Sequence, residues 1–62
     1  MTNTNLWYAL QTDPDDNDWG TGTYDKAEAI SRAKGGNYYR IAVIEEGPDP
    51  ICVEELISGE DF

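Results

Sequence analysis

One segment of this sequence combines the start, the periodicity and the end signals of a helix, and it lies between strand-like segments that are apolar on both faces. Residues 25–36 start with Asp25, carry Glu28 three positions later as in a capping box, and end in a Gly-Gly pair. One side of this helix is small and apolar, with Ala27, Ala29, Ile30 and Ala33. Such a helix packs close to a sheet, so Ala33→Leu is expected to overpack the contact.

Two strand-like segments flank the helix, at residues 6–12 and 38–46. In the first, alternation places Leu6, Tyr8 and Leu10 on one face and Trp7 and Ala9 on the other. In the second, it places Tyr39, Ile41 and Val43 on one face and Tyr38, Arg40, Ala42 and Ile44 on the other. Because one helix covers one face of a sheet, some of these apolar side chains remain uncovered.

The remaining segments contain turn signals. Residues 13–18 are rich in Asp, Asn and Pro and stop the first strand. Residues 19–24 alternate large and small side chains and predict a short second strand, the alternative being an irregular connection. Residues 47–50 (Gly-Pro-Asp-Pro) predict a hairpin to a strand at 51–57, with a helix at 53–57 as the alternative.

The expected fold is therefore α+β: a single small domain over residues 1–62, in the order β(β)αββ, with one helix on a three- or four-stranded sheet. Residues 1–5 and 58–62 are expected to be frayed, although Phe62 can fold back onto the domain. Which face of the sheet the helix covers does not follow from the pattern.

The charge balance excludes several partners. The chain has 13 acidic and 4 basic residues and a net charge of −9. Four basic residues cannot supply the counterion release that drives nucleic-acid binding, and anionic membranes repel such a chain. The first residues lack the apolar core of a secretory signal, so we expect a cytoplasmic protein that does not bind membranes.

The chain has no histidine, which excludes His-paired nucleophiles, an imidazole base and His-ligated metals. We therefore expect no enzyme activity, no catalytic residues and no cofactor or metal. Glu45 and Glu54 are available as a carboxylate pair if the hairpin aligns them, but acids at a sheet edge are usually solvated. Cys52 is the only cysteine and, within an apolar run, is expected to be a buried structural thiol.

Two weak ligand motifs occur in the first connection. Asp13, Asp15 and Asn17 have the alternate spacing of calcium ligands, but the glycine and the closing glutamate of a calcium loop are missing. A weak Ca²⁺ site is thus a minor alternative to a solvated acidic turn. Gly20 and Gly22 precede the helix, where phosphates can bind, yet the neighbouring aspartates would repel a phosphate.

The uncovered apolar face predicts a protein-interaction module, because burying such a face adds stability that a small domain lacks. The partner is another protein or a second copy of the chain, which would give a homodimer. The candidate contact residues are Trp7, Tyr8, Tyr38 and Ile44. In the competing interpretation, Trp19 and Phe62 cover this face.

The acidic residues support an alternative function, a nucleic-acid mimic that inhibits a DNA- or RNA-handling protein. Its candidate residues are Asp15, Asp16, Glu45, Glu46, Glu54 and Glu55. In the simpler interpretation, these carboxylates keep the chain soluble and protect hairpin edges from pairing with other chains.

Three short stretches carry a general resemblance: Trp7-Tyr8-Ala9-Leu10-Gln11, Trp19-Gly20-Thr21-Gly22 and Asp49-Pro50-Ile51-Cys52. Together they resemble short bacterial or phage-type reading frames. The resemblance is compatible with a phage or mobile-element origin and equally with a bacterial one, and it points to no particular family and no activity.

Overall fold

The computed structural model describes residues 5–62, which form one helix packed on a four-stranded antiparallel sheet. The elements are β1 (Leu6–Gln11), β2 (Gly22–Thr23), α1 (Lys26–Gly36), β3 (Arg40–Glu45) and β4 (Ile51–Ile57). The strand order is β2-β1-β3-β4, so β1 and β3 are central. The predicted α+β class and element order are confirmed. Residues 1–4, where fraying was expected, lie outside the described residues.

The helix begins as its sequence predicts and extends through both glycines to Gly36. The Asp25 side chain caps it by accepting hydrogen bonds from the amides of Ala27 and Glu28. At the other end, both glycines remain helical and Asn37 adopts the left-handed conformation, with φ 57°. The helix therefore ends at the predicted Gly-Gly pair, but its left-handed cap is Asn37 and not a glycine, because asparagine also tolerates this conformation.

The main core lies between α1 and one face of the sheet. Ala29 and Ala33 are fully buried there, so the close approach expected from these two alanines is confirmed, whereas Ala27 is exposed. The buried cluster consists of Leu10, Ala29, Ala33, Ile41, Val43 and Leu56. Tyr8, Ile30, Tyr38 and Phe62 pack around it. Phe62 does fold back onto the domain, and it packs on this side of the sheet.

Tyr38 lies on the opposite side of the sheet from its predicted position. The alternation placed it on the face of Ile44, but β3 begins only at Arg40, so Tyr38 belongs to the turn after the helix. Its amide donates to the carbonyl oxygen of Ala33 at 3.1 Å, and its ring lies against Gly36. A Cβ at Gly36 would come within 2.7 Å of that ring, so glycine makes this packing possible.

The second hairpin joins β3 to β4 and confirms the strand interpretation of residues 51–57 over the helical one. A register shift follows Val43: Val43 faces Glu54, whereas Ile44 faces Cys52, which leaves Val53 as the extra residue of a bulge. Glu45 faces Ile51 and Glu54 faces Val43, so the hairpin does not align Glu45 with Glu54, which was the condition for a carboxylate pair. Cys52 is exposed on this edge strand, which contradicts its assignment as a buried thiol.

The short β2 confirms the predicted first hairpin. It pairs with β1 at only two positions, where Thr23 faces Tyr8 and Gly22 faces Ala9. A Cβ at Gly22 would lie 2.1 Å from the carbonyl oxygen of Tyr8, so only glycine fits. Gly22 therefore allows β2 to lie close to β1.

Within residues 5–62, every helix is too short and too polar to cross a membrane.

Candidate functional site

The face of the sheet opposite α1, called here the open face, carries a second apolar cluster. Ala9, Ala42 and Ile44 are buried on it, and Trp7 packs beside them. They share this face because Trp7 is paired with Ile44 and Ala9 with Ala42 in the β1–β3 register. The helix does not reach this face, so another part of the chain must account for the burial.

The connection from residue 12 to 21 is attached at two points to side chains of the open face. It is held near the end of β1, where the Gln11 side-chain amide donates to the carbonyl oxygen of Asp18 at 3.5 Å. It is held again near the start of β1, where the Trp7 indole donates to the carbonyl oxygen of Trp19 at 2.7 Å. The competing interpretation, in which Trp19 and Phe62 cover the apolar face that the helix leaves open, is thus wrong for Phe62, which packs on the helix side.

A polar cluster centred on Arg40 fills one end of the open face. The Arg40 guanidinium donates to the side-chain oxygen of Gln11, which is 1% exposed, and lies 3.0 Å from a carboxylate oxygen of Glu55. It also donates to the carbonyl oxygens of Pro14 and Asp16, at 3.5 and 3.4 Å. One side chain therefore ties the two central strands, the edge strand and the connection together.

The aspartate side chains of the connection accept hydrogen bonds mainly from backbone amides of neighbouring residues. Asp13 accepts from the amide of Asp15, and Asp18 accepts from the amide of Gly20. Asp16 accepts from the amides of Asp18 and Thr12, and these two hydrogen bonds lower the pKa of its carboxyl below the ordinary value. Within residues 5–62, no three acidic or thiol side chains converge as a metal site would require. Of the three proposed calcium ligands, Asp13 forms a turn here, because its side chain accepts from the amide of Asp15.

The other end of the open face contains a groove of about 580 Å³, where β1 begins and β3 ends. Trp7 and Ile44 come from the sheet, and Trp19 and Tyr24 come from the segments before β2 and α1. We call it the aromatic groove and define it by its lining: Trp7, Trp19, Tyr24, Ile44, Glu46, Gly47 and Pro50.

Specific contacts fix the walls of the aromatic groove. The Tyr24 ring packs edge-on against Trp7, with ring centroids 4.7 Å apart and planes at 71°. The Tyr24 hydroxyl donates to the Glu46 carboxylate, at 2.9 Å from one oxygen and 3.2 Å from the other. This hydrogen bond raises the pKa of Tyr24, because the neutral phenol is the form that donates it.

The groove exposes aromatic surface beside a negative charge. Trp19 is 38% and Tyr24 57% exposed, whereas Ile44 is buried beneath them and contributes only at the base. Among residues 5–62, no lysine or arginine forms an ion pair with Glu46. All four basic residues of the chain lie outside the groove lining.

The four predicted contact residues separate into two pairs. Trp7 and Ile44 meet in the aromatic groove, whereas Tyr8 and Tyr38 pack around the core on the helix side. Tyr8 borders a smaller hollow of about 390 Å³ there, together with Asn5, Leu6 and Tyr24. The groove therefore retains Trp7 and Ile44 as candidates, and adds Trp19 and Tyr24.

The six predicted acidic residues do not gather on one surface. Asp15 and Asp16 belong to the connection near Arg40, whereas Glu45 and Glu46 lie at the opposite end of β3. On β4, Glu54 faces Val43 and Glu55 faces Ala42, so their side chains point to opposite faces of the sheet. Only Glu46 is part of the aromatic groove.

Sequence reasoning missed Trp19 and Tyr24 as site residues, and Gln11 and Arg40 as the buried polar cluster. A large aromatic residue inside a polar, glycine-containing connection, as at Trp19, was an available signal. Gln11 and Arg40 meet only through the strand register, which the sequence does not specify.

No protein-family model matches the sequence, no curated protein matches it, and no solved structure matches the fold. The geometry and the charge of the aromatic groove are therefore the basis for a functional proposal.

Proposed function

We propose that this chain is a non-enzymatic interaction module that binds a basic partner protein through the aromatic groove. The observation that carries the proposal is the groove itself: three aromatic side chains border one concave surface of a 62-residue chain. Aromatic residues are the side chains that protein interfaces favour most, because each buries a large area with few rotatable bonds.

The rigidity of the groove supports this proposal. The hydrogen bond from Trp7 to Trp19 and the packing of Tyr24 on Trp7 hold the rings before any partner arrives. Side chains that are already ordered lose less conformational entropy on binding, so more of the contact energy remains as affinity.

The charge of the chain indicates the chemistry of the partner. With a net charge of −9 and Glu46 in the groove, the surface attracts a basic protein and accelerates its association. A second copy of the chain carries the same charge and would be repelled. We therefore propose a different protein as partner, with self-association as an outcome to be tested.

The alternative function, in which the chain mimics a nucleic acid and inhibits a DNA- or RNA-handling protein, has less support. Three of its six carboxylates already bond within the chain: Asp16 to backbone amides, Glu46 to Tyr24 and Glu55 to Arg40. A mimic needs acids that repeat along one surface, whereas these lie at both ends of the sheet and on both of its faces.

The proposal is tested by comparing what the immobilised chain retains from a lysate of its native cells with what two variants retain. Trp19→Ala removes an aromatic wall but keeps the carbonyl oxygen that anchors Trp7. Tyr39→Ala is the matched control, because Tyr39 has the same 38% exposure and lies near the opposite end of β3. We expect a basic protein to be retained by the wild type and the control, and lost with Trp19→Ala.

Retention of the same protein by Trp19→Ala would contradict the proposal. Sedimentation of the pure chain over a range of concentrations provides a second check, with reductant present because Cys52 is exposed. A stable dimer that Trp19→Ala dissociates would show that the groove serves self-association instead.

A further inference from the structure

We infer that the aromatic groove holds one cationic side chain, a lysine or an arginine of the partner protein, between its rings and the Glu46 carboxylate. The inference rests on the proposed function and names the chemical group that the groove would recognise. Three features carry it: the aromatic walls, the fixed carboxylate, and the position of the chain's own basic residues.

The aromatic walls suit a cation. The electron-rich face of an aromatic ring attracts an ammonium or guanidinium group within about 6 Å of its centre, and tryptophan attracts it most strongly. The groove brings together two tryptophans, Trp7 and Trp19, with Tyr24. Because Trp19 and Tyr24 remain partly exposed, ring surface is available without any rearrangement of the sheet.

The carboxylate of Glu46 supplies the opposite charge at the same place. The Tyr24 hydroxyl is its donor within residues 5–62 and approaches both oxygens, which holds the group in one position. A carboxylate has about four acceptor positions, so one hydroxyl leaves room for the N–H donors of an ammonium or guanidinium group.

The chain's own basic residues do not occupy this place. Arg40 is engaged at the far end of the open face, and Arg32 lies 3.8 Å from Glu28 on the helix. Lys26 and Lys34 are also helical and do not line the groove. Within residues 5–62, a cation from outside the chain therefore meets no competing lysine or arginine in the groove.

The experiment compares two short peptides that differ in one charge. The probes are acetyl-Gly-Lys-Gly-amide and the same peptide with norleucine, which has a similar apolar stem but no ammonium group. Binding is followed by two-dimensional ¹H–¹⁵N NMR of the full chain, in which the indole N–H signals of Trp7 and Trp19 report on the groove. We expect the lysine peptide to shift these signals and the amide of Glu46, and to bind more tightly than the norleucine peptide.

Two variants measure separately what the aromatic ring and the carboxylate contribute to binding of the lysine peptide. Trp19→Leu keeps an apolar wall but removes the ring face, and we expect about two- to five-fold weaker binding of the lysine peptide. Glu46→Gln keeps the shape but removes the charge, and we expect a loss of similar size together with a weaker dependence on salt. Tyr39→Leu is the control and should leave the affinity unchanged.

The outcomes separate this inference from the proposed function. Equal or tighter binding of the norleucine peptide would overturn the cation site, while a groove-dependent partner could still be retained in the capture experiment. Signals that shift over all acidic residues, or equal weakening by Tyr39→Leu, would also overturn it, because they indicate unspecific charge attraction. Tighter binding of free tetramethylammonium than of the lysine peptide would contradict a side chain as the ligand.

Discussion

The indole N–H of Trp7 donates a hydrogen bond of 2.7 Å to the main-chain carbonyl oxygen of Trp19, twelve residues away. This bond fastens the connection between β1 and β2 to the sheet. It also places both indoles at the same groove, so the stability of the connection and the shape of the candidate site depend on one contact.

We expect Trp7→Phe to lower the free energy of unfolding by at least about 1 kcal/mol, because phenylalanine keeps a ring but cannot donate the hydrogen bond. Urea unfolding followed by the remaining tryptophan measures the change. Trp19→Phe, which preserves the carbonyl acceptor, is the control and should cost less. An unchanged stability in Trp7→Phe would show that the connection is held by other contacts.

Arg40→Met is expected to destabilise the fold by about 2–3 kcal/mol, since it leaves the buried side-chain oxygen of Gln11 without its donor and removes the contacts of Arg40 with the connection. Glu55→Gln should cost less than about 1 kcal/mol, because the Glu55 side chain is half exposed and its ion pair is screened by solvent. Urea unfolding of both variants tests this order. Equal losses would mean that the ion pair, and not the cluster with Gln11, holds this end of the sheet.

Ala33→Leu is expected to destabilise the fold by about 1–3 kcal/mol, because Ala33 is 1% exposed between α1 and the sheet. Ser31→Leu adds a similar side chain on the exposed side of the helix and should change stability by less than about 0.5 kcal/mol. Thermal unfolding of the two variants makes the comparison. If Ala33→Leu were as stable as Ser31→Leu, there would have to be a cavity next to Ala33 that accommodates the larger side chain.

The lowered pKa of Asp16 predicts a pH-dependent contribution to stability. A carboxyl whose pKa is lower in the folded than in the unfolded chain stabilises the fold above the unfolded pKa, near pH 4. This contribution is lost as the pH falls through the lower, folded pKa. The stability difference between the wild type and Asp16→Ala should therefore be largest above about pH 5 and shrink below about pH 4.

The control for this pH series is Asn17→Ala, which changes the same turn without removing a titrating group. The difference in the free energy of unfolding between Asn17→Ala and the wild type should stay constant with pH. The stability of each variant has to be compared with that of the wild type at the same pH. The chain carries a net charge of −9, so acid also reduces the repulsion among its carboxylates. A constant difference for Asp16→Ala would show that its hydrogen bonds do not stabilise the turn.

The fold was largely predictable because the local signals agree with one another. The Asp25 cap, the alanine face of α1 and the alternation in β1 each indicate the element that forms there. The errors arise where the backbone leaves regular structure. Tyr38 follows the left-handed Asn37, so counting in steps of two assigned it to the wrong face.

The candidate site was less predictable, because its parts are distant in the sequence. Trp7 and Ile44 were identified from alternation, but their meeting with Trp19 depends on how the connection lies along the sheet. The prediction that Cys52 is buried was wrong for a related reason. Because β4 is an edge strand with a bulge, its apolar residues near Cys52 remain exposed.

The most direct test of the central claim is the affinity of the captured basic protein for the wild type, Trp19→Ala and Tyr39→Ala, measured by titration calorimetry. A tryptophan at the centre of an interface typically contributes enough that its removal weakens binding at least about ten-fold. We predict such a loss for Trp19→Ala and less than about a two-fold change for the equally exposed Tyr39→Ala. Equal affinities for all three proteins would contradict a binding site in the aromatic groove.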